Sequence, residues 1–75
     1  MQNTQIAIRI KSLCVERKVS VDKFLRDCDL SKGLVYDLEK RDRTLSIKIM
    51  GSIADYFNVS IDYLVGRTDN PEVNP

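Results

Sequence analysis

Proline is missing from the first 70 of the 75 residues, and glycine appears there only at positions 33, 51 and 66. A chain with so few breakers runs as helix wherever its apolar residues recur at three- and four-residue spacing. Ile6, Ile10, Leu13, Cys14 and Arg17 have that spacing and predict a first helix over residues 4–17. Ser20 stands at the N-cap of a second, about 21–28, with Asp22 in its first turn and Phe24, Leu25 and Cys28 facing inward. Ser31 is the candidate cap of a third, about 32–40, with Leu34, Val35 and Leu38 inward. Ser46 caps a fourth helix with Ile47, Met50, Ile53, Ala54 and Phe57 on one face, and Asn58 is suited to end it. Ser60 caps a last short helix through Ile61, Leu64 and Val65, with Gly66 just beyond it. The expected architecture is a compact all-α domain of five helices over residues 1–67, then a flexible tail over 68–75.

Composition narrows the function. There is no histidine, the commonest general base and metal ligand. Cys14 and Cys28 are too few for a zinc site and lack CxxC spacing, so they read as small buried apolar residues. No cofactor, metal or small-molecule substrate is expected, and a binding module fits better than an enzyme. No apolar run exceeds three residues, so no membrane span is expected. The start, MQNTQ, has no basic region leading into an apolar core, so the expected compartment is the cytoplasm.

Net charge is only +1, but it is unevenly spread. Residues 1–43 carry ten Lys or Arg against seven Asp or Glu, whereas residues 44–75 carry two against four. An anionic partner would dock on the first part. Within it, residues 20–40 form two short helices joined by a tight turn, the geometry of a helix-turn-helix or of an ordinary helical hairpin.

A resemblance separates these two. From about Ile6 to Gly66 the chain resembles the Cro and phage-repressor type of helix-turn-helix regulators, the XRE class. SVDKFLRDCDLS (residues 20–31) is similar to the family's second helix and turn, and residues 32–40 to its recognition helix, ending in Leu38-Glu39. IADYFNVSIDYLVGR (residues 53–67) is similar to the ending of many stand-alone members. The resemblance implies a lambda-repressor-like five-helix fold and double-stranded DNA as the partner. Departures from the family pattern are Val21 for a phosphate-binding glutamine, Leu25 for a small packing residue, Asp29 for the turn glycine and Leu45 for a proline.

The resemblance maps the family's base-reading positions onto Lys32, Gly33, Tyr36 and Asp37, at the start of the segment opened by Ser31. Lys32 is suited to guanine or a phosphate, Tyr36 to stacking or donation, and Leu34 to a thymine methyl. Asp37 either accepts from cytosine or pairs with Lys40 or Arg41 along the helix. Lys40, Arg41 and Arg43 follow where the family's loop grips phosphate.

The resulting expectation is a sequence-specific transcriptional regulator acting by repression. It would read the major groove with helix 32–40 as a homodimer on a pseudo-palindromic operator, paired through the last helix, where Tyr63 and Val65 offer apolar area. The alternative is a protein-interaction module on the same fold, antitoxin-like or an anti-repressor adaptor, favoured by Val21, Leu34, Asp37 and the low net charge.

Overall fold

The computed structural model describes residues 2–41 and 44–72. Within them run five helices and no strand: α1 (Gln2–Glu16), α2 (Val21–Asp27), α3 (Leu34–Lys40), α4 (Ile47–Phe57) and α5 (Ile61–Leu64).

One local device ends most of these helices. Lys18, Asp29 and Asn58 adopt φ near +57°, and Gly66 lies at +83°. In each case the next residue reaches back five positions: Val19 N–H to the Cys14 carbonyl, Leu30 to Leu25, Val59 to Ala54 and Arg67 to Asp62. These are Schellman endings, which satisfy the last free carbonyls and turn the chain sharply. After the first, second and fourth helices the same pattern follows, a left-handed residue, an apolar residue and a serine. Ser20, Ser46 and Ser60 each accept from a backbone N–H three residues on, at 3.0, 3.2 and 3.0 Å.

Ser31 breaks the pattern and corrects the expected cap. The Leu34 N–H donates to the Ser31 carbonyl, so residues 31–34 make a turn and α3 starts only at Leu34. Its N-cap is Gly33, which has no side chain to cap with.

Ile6, Ala7, Ile10, Leu13 and Cys14 of α1 form the floor of the core, against Phe24 and Leu25, Leu34, Val35 and Leu38, Ile53, Ala54 and Phe57, and Leu64. Phe24 stacks on Phe57 with centroids 5.0 Å apart and meets the tilted ring of Tyr56 at 5.4 Å, pinning α2 to α4.

Three inward placements are corrected. Ile47 is 71% exposed, because it lies at the edge of the arc centred on Met50, Ile53 and Phe57. Arg17 is exposed, because it follows the last residue of α1 and helical spacing no longer applies. Cys28 is half-buried where Cys14 is fully so. Beyond α5, the Pro71 carbonyl accepts from the Ser60 N–H at 3.0 Å, and the Asn70 N–H donates to Thr68 Oγ1. No described helix is long and apolar enough to cross a membrane.

Candidate nucleic-acid interface

α2 and α3 are held by different means. α2 is capped by Ser20, closed by Asp29 and tied to α4 by Asp27, whose Oδ2 accepts from the Tyr56 hydroxyl at 2.7 Å and from Lys23 Nζ at 3.0 Å. These bonds hold the Asp27 carboxyl below the usual carboxylate range. The same carboxylate pushes the Tyr56 phenol up to about 12. α3 instead lies on α1, the most extensive helix packing in the fold. Lys11 Nζ of α1 meets Glu39 Oε1 of α3 at 2.7 Å.

Helical spacing divides α3 into two faces. Leu34, Val35 and Leu38 fill the core. Gly33, Tyr36, Asp37 and Lys40 follow one another at three- and four-residue steps on the opposite face. Tyr36 is 57% exposed, one of few large apolar side chains left in solvent. Ser31, Lys32, Gly33, Lys40 and Arg41 are all exposed. The exposed start of α3, with the turn before it, is therefore a cation-bearing edge, and helix-turn-helix proteins present the start of this helix to the major groove.

Leu34 does not belong to that edge. It is 1% exposed and points into the core between Val35 and Leu38, so its expected contact with a thymine methyl is corrected to a packing role. Asp37 is half-buried and pairs with Arg41 one turn on, Oδ1 to Nε 3.8 Å, as the local-pairing expectation had it. A Cβ on Gly33 would meet only Asp37 Oδ2, at 3.9 Å, and its φ of −87° suits any residue. Nothing among the described residues requires glycine there. Arg43 lies outside the described residues.

The Lys11–Glu39 and Asp27–Tyr56 pairs escaped sequence reasoning. Their partners sit on different helices and carry no local signal. Among the described residues, no group of three or more Cys, Asp or Glu is placed to hold a metal.

Residues 9–70 match the family described as Cro/C1-type HTH DNA-binding domain. No significant match was found among curated proteins or among solved structures. The match covers most of the chain, including every helix from the middle of α1 onward. The chain belongs to the Cro/C1-type helix-turn-helix DNA-binding family.

Proposed function

We propose that this DNA-binding regulator represses transcription as a symmetric dimer, with the start of α3 reading base edges in the major groove. The division of α3 carries the reading: one face is core, and the other presents Lys32, Gly33, Tyr36 and Lys40 to solvent. Lys32 and Tyr36 are the base-reading candidates, and Gly33 lets the backbone come close. Lys40, Arg41 and Arg43 supply phosphate contacts that set register and affinity. Ser31 stands at the entry to the turn.

One such motif reaches only about four to six base pairs, and two half-sites one helical turn apart supply the missing affinity. Tyr63 and Val65, half-buried at α5, are the proposed partner-facing surface.

A second reading has its own observation. Between α4 and α5 lies a groove of about 310 Å³ bordered by Gly51, Ala54 and Ile61, with Asp55 and Asp62 at its edge. A protein partner would use that groove and leave α3 bare.

Affinity measured against salt on selected and random duplex separates the readings. The proposal expects a steep dependence, with Lys40→Ala lowering the slope by about one unit on every sequence and Lys32→Ala relaxing preference at one base position. Light scattering at about 100 µM should report a dimer. Salt-insensitive or undetectable binding favours the adaptor reading, and a monomer on and off DNA removes the dimer.

A further inference from the structure

α1 carries the recognition helix on one side and α5 on another. Lys11 reaches Glu39 of α3, and two positions earlier, about 200° round the helix, Arg9 reaches α5. The Arg9 guanidinium lies over the Tyr63 ring, its Cζ 3.9 Å from the centroid. The side chain is only 18% exposed, and its Nε is buried with no hydrogen-bond acceptor among the described residues. The Asp69 carboxylate at 4.0 Å is fully exposed and adds little. The guanidinium over the ring face is thus the contact the fold uses.

α5 needs such an anchor. It is a single turn of four residues, too short to hold a direction by itself, and only Leu64 of it is fully buried. Gly66 runs so close to α1 that a Cβ there would sit 2.7 Å from Gln5 Cγ. α5 also packs on α4, and only its contacts on α1, the helix that carries α3, link its direction to the recognition helix directly.

We propose that Arg9 is a positioning residue: by stacking on Tyr63 it fixes α5 relative to the recognition helix, and so sets the spacing of half-sites that the dimer accepts. This rests on the dimer reading above. The leverage is large. A 10° rotation acting over about 20 Å, within the 26 Å middle dimension of the domain, moves a recognition helix by about 3.4 Å, the rise of one base pair. Arg9 is remote from the base-reading edge, so the half-site sequence itself should not change.

The test selects bound fragments from random duplex with the wild-type chain and with Arg9→Met, Tyr63→Leu and Tyr63→Phe, scoring half-site sequence and spacing separately. The wild type should return one spacing. Arg9→Met should return the same half-site sequence at two or more spacings, with about tenfold or more lost on the wild-type operator as simultaneous engagement weakens. Tyr63→Leu removes the ring together with part of the proposed partner-facing surface and should widen the spacings at least as much, so Arg9→Met decides. Tyr63→Phe keeps the ring and should restore the single spacing. A single, unchanged spacing with Arg9→Met overturns the inference alone. So does loss of half-site preference together with spacing, or loss of the helical circular dichroism in both Arg9→Met and Tyr63→Leu, which would make the stack a plain folding contact. Isolated half-sites selected by a monomeric wild type would overturn the dimer reading and this inference together.

Discussion

Leu34 and Tyr36 sit two residues apart on the recognition helix, and the structure gives them opposite work. Leu34 is 1% exposed, whereas Tyr36 is 57% exposed. Leu34→Ala removes three buried carbons and leaves a cavity, a change that costs about 2.7–5 kcal/mol in well-packed cores. A 75-residue domain has about 4–11 kcal/mol of stability in all, so the variant should keep a fraction of it. At about 4–8 °C per kcal/mol for a domain of this size, the melting temperature should fall by at least about 11 °C. Tyr36→Ala removes mostly exposed surface and should change stability by no more than about 0.5–1 kcal/mol, while weakening DNA binding. Urea unfolding followed by far-ultraviolet circular dichroism gives the first quantity, and fluorescence anisotropy on a selected duplex gives the second. If Leu34→Ala melted within about 2 °C of the wild type and lost affinity only for sites containing thymine, the two-faced description of α3 would be wrong.

Three further predictions follow from the same contacts. Because Asp37 pairs with Arg41, Asp37→Asn should tighten binding to random duplex by a few tenths to about 1 kcal/mol without changing sequence preference; a cytosine reader would instead lose about 1–3 kcal/mol at one base position. The Tyr56 phenol is pushed up to about 12, so one phenolate absorbance step should appear only as pH approaches that value, and Tyr56→Phe should remove it. The raised folded value means that this contact contributes fully below the unfolded phenol value near 10 and is lost as pH climbs toward 12. Asp27, held low, contributes above the ordinary carboxylate value and loses its contribution as pH falls through its lower folded value. Burial raises both thiols, and Cys14 is the more deeply buried, so thiol reagents should label Cys28 first and Cys14 only on unfolding; faster labelling of Cys14 would contradict the core assignment.

Much of the fold was readable because its signals are local. Ser20, Ser46 and Ser60 cap the helices that they precede, and Asp29 and Asn58 take up the left-handed turns expected of short polar side chains. Ser31 has the same left-handed, apolar, serine context and still does not cap, because the turn at residues 31–34 delays α3 by two residues. That turn is closed by a backbone bond, Leu34 N–H to the Ser31 carbonyl, which the serine pattern does not encode. The exposed edge of α3 was readable from spacing. Leu34 was pulled two ways: periodicity placed it inward, while the family resemblance placed it on the groove, and burial decided for periodicity. The pairs that join the helices, Arg9 with Tyr63, Lys11 with Glu39 and Asp27 with Tyr56, link residues far apart in the chain. No window of sequence shows them.

The central claim is that the start of α3 is the surface that meets DNA. Backbone amide chemical shifts, recorded while a selected duplex is added to the labelled protein, test it most directly. The account predicts the largest changes at Lys32, Gly33, Tyr36, Asp37 and Lys40, with the buried Leu34 and Leu38 moving only as their helix does. Changes confined to Gly51, Asp55 and Ile61, with α3 silent, would contradict it and place the working surface in the groove between α4 and α5.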